Sequence, residues 1–122
     1  MEPDEQSPTL DKNKLSALHQ ILGQKLQPIL ANYKTSSADY LHNMKIAFSN
    51  NNTVELARIT HALKGSSRTL FAMQLANHCQ QLETEIKNNN LEEIGNLLNS
   101  IETTLAETGE TLSSFEKLKM LT

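Results

Sequence analysis

The sequence predicts an all-α protein, an up-down antiparallel four-helix bundle preceded by a short additional helix. Three observations carry that expectation. Leucine, alanine, glutamate, lysine and glutamine are plentiful, whereas aromatic residues make up only 4% and tryptophan is absent, a bias toward helix formers over strand formers. Apolar residues recur at spacings of three and four along most of the chain, which is the helical period. The breaks between periodic stretches are short, and short connections favour antiparallel neighbours. At 122 residues the chain is long enough for one domain with its own core.

Residues 1–9, MEPDEQSPT, hold two prolines and three acids and almost nothing apolar. They read as a disordered arm or linker, leaving 10–122 for the bundle. A first short helix is expected from about Leu10 to Leu22, with Leu15, Leu18 and Leu22 on one face and Gly23 as its stop. Pro28 suits the first turn of the next helix, where its missing N–H does no harm. Leu30, Tyr33, Ser37, Tyr40 or Leu41, Met44 and Phe48 then keep one phase across the weak spot Thr35–Ser37, so a single long helix is expected.

Asn50–Thr53 is a turn, with Asn52 as N-cap and Glu55 placed to reach back as in a capping box. The third helix turns Leu56, Ile59, Leu63 and Leu70 inward, and the next, Ala72 to Lys87, turns Leu75, Cys79, Leu82 and Ile86 inward. A second asparagine turn, Asn88–Asn90, repeats the device with Asn90 as cap and Glu93 three residues on. The last helix is expected from Leu91 to about Leu118, its stripe being Ile94, Leu98, Ile101, Leu105, Leu112 and Phe115, with Thr108 in the gap.

The formal charge of −3 gives no reason to expect nucleic-acid binding. A lone cysteine, Cys79, excludes an internal disulfide and suits a reducing compartment. Nothing resembles a signal peptide, and apolar runs such as Leu70–Met73 are far too short for a bilayer. A soluble, cytoplasmic monomer without direct membrane contact is expected.

The stretch THALKGSS, Thr60–Ser67, places a glycine inside a helix one turn after a histidine. A mid-helix glycine costs about 1 kcal/mol relative to alanine. His61 lies off the apolar stripe and shares its face with Lys64, Gly65 and Arg68, with Arg58 one turn before. Glycine there would let another macromolecule bring a reactive group close, and the cations would favour negative charge arriving on the imidazole. A neutral imidazole is a competent nucleophile. An exposed histidine among cations is also what an ordinary wet helix face looks like, and a mid-helix glycine can serve tight packing. Periodicity leaves both readings open.

HALKGSS at 61–67, followed by LFAMQLANHCQQLE at 70–83, resembles the histidine-containing phosphotransfer (HPt) family, whose pattern is close to H-x-L-K-G-[SA]-[SA]. Only this central block is specific; the outer helices match as amphipathic helices. The resemblance implies that His61 is the phosphoacceptor, receiving a phosphoryl group from a response-regulator receiver aspartate and passing it to another. It implies that Lys64 is the basic residue near the phosphohistidine, that Gly65 admits the receiver, and that Ser66 and Ser67 keep the helices close. Glu83 falls where some relatives place a glutamine that bonds the histidine, and it is either such an orienting group or an ordinary exposed acid. The family usually has glycine where Phe71 stands. Without it, a left-handed turn is strained, and the junction is expected to be more helical or differently bent than in relatives. Arg58 and Arg68 are expected to bind the partner, with Arg68 tuning receiver choice.

No phosphate-cradling GxxxxGK[ST] loop is present, so autokinase activity is not expected. The chain would be a phosphoryl carrier without a cofactor of its own, the Mg²⁺ belonging to the receiver. It would be a signal-transduction phosphoprotein, either free-standing or a module of a hybrid sensor histidine kinase that is itself membrane-tethered. The alternative is a helical interaction module that binds a receiver or partner helix without phosphate transfer. A zinc site from His61, His78 and Cys79 is disfavoured, because adjacent helical residues point about 100° apart. His19 and His42 read as structural or surface histidines.

Overall fold

The computed structural model describes residues 9–120. The polar arm expected over 1–9 falls, apart from Thr9, outside the described residues. Among the described residues five α-helices follow one another: α1 (Lys12–Leu22), α2 (Leu26–Ser49), α3 (Thr53–Thr69), α4 (Met73–Lys87) and α5 (Leu91–Lys119), with a 3₁₀ turn at Gly23–Lys25. The four long helices form an antiparallel bundle in which α3 packs on α2 and α4, and α5 packs on α4 and α2. No helix of the described residues is long and apolar enough to cross a membrane.

The inward stripes are those of the sequence. Leu15, Leu26, Leu30, Met44, Leu56, Leu63, Leu75, Leu82, Ile94, Ile101 and Leu112 are fully buried, and Cys79 lies among them. Tyr40, Leu41, Phe48, Ile86 and Leu105 are only partly buried at the edges of that core. α2 runs unbroken through Thr35–Ser37, where the hydroxyls turn back onto their own helix: Thr35 donates to the Ala31 carbonyl at 3.2 Å and Ser37 to that of Tyr33 at 2.6 Å. The buried Thr60 and Thr108 do the same, to the carbonyls of Leu56 and Thr104. α1 starts at Lys12, two residues later than the periodicity suggests, because Asp11 takes the N-cap and accepts the Lys14 amide at 3.2 Å. Gly23, at φ 57°, ends α1.

Three helix ends close in the same way. Asn51, Phe71 and Asn89 are left-handed at φ 56°, 63° and 55°. In each turn the next residue's N–H reaches back five positions: Asn52 to Ala47, Ala72 to Ser67, Asn90 to Glu85. This is the Schellman closure, which usually puts glycine or asparagine at the left-handed site. The expectation of a more helical or differently bent junction at Phe71 is therefore corrected, since phenylalanine adopts the left-handed conformation itself. Tertiary contacts hold it there. Its ring packs against the core, Ala72 beside it is fully buried, and its carbonyl accepts the Asp11 amide at 2.9 Å, which ties α1 to the α3–α4 turn.

The same closures explain a departure at the caps. Asn52 and Asn90 accept the amides of Glu55 and Glu93 at 3.1 and 3.4 Å, as expected. Their own N–H groups are already spent on the turns, so Glu55 has no donor to reach back to. It pairs instead with Arg58, and only half of the capping box forms.

Candidate functional site

The Asn52 cap sets where α3 begins and hence its phase: Leu56, Ile59, Thr60, Leu63, Lys64 and Ser67 face inward, while His61, Gly65 and Arg68 face out. The His61 side chain is 73% exposed. Its Nδ1 lies 2.9 Å from Oε2 of Glu83 on α4. The other Glu83 oxygen accepts the Lys64 ammonium, which also donates to Oε1 of Gln80 at 3.2 Å. Lys64 and Glu83 are only 11% and 18% exposed, a burial that each tolerates because the other neutralises it. Burial alone would push the Glu83 carboxyl up, but hydrogen bonds from Lys64 and His61 outweigh it and hold the carboxyl below its usual range.

An ionised carboxylate can only accept. Nδ1 of His61 is thus the donor, and the tautomer that results carries its lone pair on Nε2. One turn on, Gly65 is exposed, and a Cβ added there would meet nothing within 4 Å. Packing within the chain does not require this glycine. The reading in which it serves tight helix contact is excluded by that open space.

Lys64 sits differently from the sequence expectation. Its Cα shares a face with His61, yet its side chain is buried in the α3–α4 cleft and its charge is spent on Glu83. Arg58 is spent too, gripping Glu55 of its own helix through Nε at 2.7 Å and Nη2 at 2.8 Å. Arg68 is exposed. Ser66 is half-buried and donates to the Leu63 carbonyl at 3.2 Å. Ser67 is fully buried, its hydroxyl 2.8 Å from that of Tyr33, which joins α3 to α2. Burial pushes the Tyr33 phenol up to about 12.

The four long stripes did not single out Gln80, or the groove beside the site. Gln80 lies one turn before Glu83 on α4, and that i,i+3 spacing is the signal that could have found it. The groove, of about 240 Å³, runs between α2 and α3 and is lined by Ile29, Asn32, Tyr40, Ser66 and Thr69 among others. Ile29 is 42% exposed. Periodicity does not mark Ile29, Asn32 or Thr69, because they lie just off the buried stripe. The remaining histidines stand apart: His19 meets the Phe115 ring edge-on at 6.1 Å, His42 is exposed, and His78 is half-buried. Cys79 is buried in the core and its thiol is pushed up to about 12, which makes it inert.

The model of the Hpt domain family matches residues 28–111. No curated protein matches the chain in sequence. Among solved structures the chain is similar to the crystal structure of histidine-containing phosphotransfer protein B from Pseudomonas aeruginosa PAO1, with a TM-score of 0.85. That match covers 91% of this chain and 96% of the other at 22% identity, a likeness of fold.

Proposed function

Because the chain belongs to the Hpt domain family, whose members generally interact with receiver domains, we propose that it relays a phosphoryl group between receiver-domain aspartates by way of His61. One observation carries this reading: an exposed imidazole whose Nδ1 is held by Glu83 at 2.9 Å, beside helix backbone left bare at Gly65. The Nε2 lone pair attacks the phosphorus of a receiver's aspartyl phosphate in line. The N–P bond forms as the P–O bond to the aspartate breaks, and the leaving carboxylate takes that electron pair. The proton on Nδ1 stays where it is. The ring becomes a phosphoimidazolium, and the Glu83 carboxylate stabilises the positive charge. Running backward, the same arrangement lets a neutral imidazole leave as a second aspartate attacks.

Each neighbour has a role in this scheme. Glu83 orients the ring and fixes its tautomer, and Lys64 acts through Glu83 by keeping it ionised and in place. Gln80 gives the ammonium a second acceptor. Gly65 leaves the approach to Nε2 open, and the groove along Ile29 and Tyr40 accepts the receiver's apolar surface. Ser67 and Tyr33 hold α3 against α2. Such relays are typically cytoplasmic, and we place this one there.

The test is transfer of labelled phosphate from phosphorylated receiver domains of the same genome to this protein, beside His61→Gln. Label on the wild type alone, labile in acid and stable in base, is the expected result. Absence of label from every receiver, with both proteins folded, would leave an interaction module without phosphate chemistry.

A further inference from the structure

α3 carries three cations, and the fold treats them unequally. Arg58 is held by both oxygens of Glu55 on its own helix. Lys64 is buried on Glu83 and Gln80. Arg68 lies two turns beyond His61 on the same outward face and is exposed; among the described residues it alone of the three has no ion pair. Two of the three charges around the histidine are thus paired within the chain, and among the described residues nothing pairs with the third.

The surroundings sharpen this. Between His61 and Arg68 lies Gly65, with open space above it. The groove next to them is lined only by uncharged residues, from Ile29 and Asn32 to Thr69 and Leu70. A surface docking over Gly65 therefore meets neutral contacts and, at the rim, the Arg68 guanidinium. Seven residues of helix separate it from His61, about 10 Å along the axis. That is too far for Arg68 to sit on the reacting phosphorus while its own surface is covered by the partner. It suits a contact with the rim of the docked protein.

We infer that Arg68 selects among receivers by pairing with a carboxylate that the favoured receiver carries about 10 Å from its phosphorylated aspartate. The inference rests on the carrier reading of His61. A rim charge of this kind acts on encounter and partner choice more than on the bound complex, and salt screens it. A residue acting on the chemical step would instead change the rate within the complex.

The experiment uses the intact chain and a panel of receiver domains from the same genome, each phosphorylated with phosphoramidate. Transfer to wild type, Arg68→Ala, Arg68→Lys and Arg68→Glu is followed at low and high salt. For the preferred receiver, Arg68→Ala should lower kcat/KM about ten-fold at low salt with kcat unchanged, and the gap should close at high salt. Arg68→Lys should recover most of the loss, and Arg68→Glu should reorder the panel toward receivers with a basic rim. Wild-type rates in all three variants on every receiver would overturn the inference, as would a fall in kcat that salt does not touch. If no receiver labels the wild type, the carrier reading itself fails and this inference goes with it.

Discussion

Glu83 holds two partners at once: one oxygen accepts His61 Nδ1 at 2.9 Å and the other accepts the Lys64 ammonium. The three side chains come from two helices, and the carboxylate between them is the hinge of the site. In the proposed mechanism its charge, and not only its hydrogen bond, matters. Glu83→Gln keeps an acceptor for Nδ1 but no longer stabilises the phosphoimidazolium and leaves Lys64 without a counter-charge. Transfer should slow about ten-fold, and about a hundred-fold for Glu83→Ala, the range of a lost charge-assisted bond. Rapid-quench transfer from a phosphorylated receiver checks this. Equal rates for Glu83→Gln and wild type would remove the electrostatic role.

The same carboxylate makes a pH prediction. Its folded-state pKa lies below its ordinary value. A group depressed in this way stabilises the fold above its unfolded pKa, and the contribution is lost as pH falls through the folded value. Wild type should therefore lose more thermal stability than Glu83→Gln when acidified from neutrality to below about pH 4. Melting curves across that range, read by circular dichroism, would show two parallel profiles if the idea is wrong.

Gly65 and Gly95 are both dispensable for packing, but they differ in consequence. Gly65→Ala and Gly95→Ala both place a Cβ without a clash, in open space for the first and at 3.8 Å from the Phe48 ring for the second. Each should stabilise the helix by about 0.5–1 kcal/mol in urea melts. Only Gly65→Ala should slow phosphotransfer, since only there does the partner need the room. A variant at 65 that is more stable and equally active would contradict the role given to this glycine.

The buried pair of hydroxyls on Tyr33 and Ser67 can be tested by a double-mutant cycle. Tyr33→Phe leaves the Ser67 hydroxyl, fully buried, without its partner, at a cost of about 1–3 kcal/mol. Ser67→Ala leaves the phenol in the same position. The double variant should be less destabilised than the sum of the two, with a coupling of about 1 kcal/mol. Strict additivity would mean the 2.8 Å contact contributes nothing.

Phe71 offers a measure of backbone strain. Phe71→Ala and Phe71→Gly lose the same ring, but only alanine keeps a Cβ at φ 63°. The glycine variant should be the more stable of the two by about 1 kcal/mol. If alanine is equal or better, the turn has relaxed and carries no strain.

Much of this protein is a consequence of local order in its sequence. Periodic leucines, two asparagine turns and a few caps suffice for five helices and their sequence, because helical period and end signals are properties of neighbouring residues. The face that presents His61, Gly65 and Arg68 follows from the same period once Asn52 sets the start. What lay beyond local reasoning is what depends on distance between helices. Whether Glu83 was an orienting group or a surface acid turned on how deep α4 sits against α3, and that depth also decided that Lys64 is buried instead of displayed. Phe71 could take a glycine's conformation only because core contacts and the Asp11 amide hold it from outside its own turn. Local propensity set the elements; burial and charge pairing between them decided which side chains are free to meet a partner.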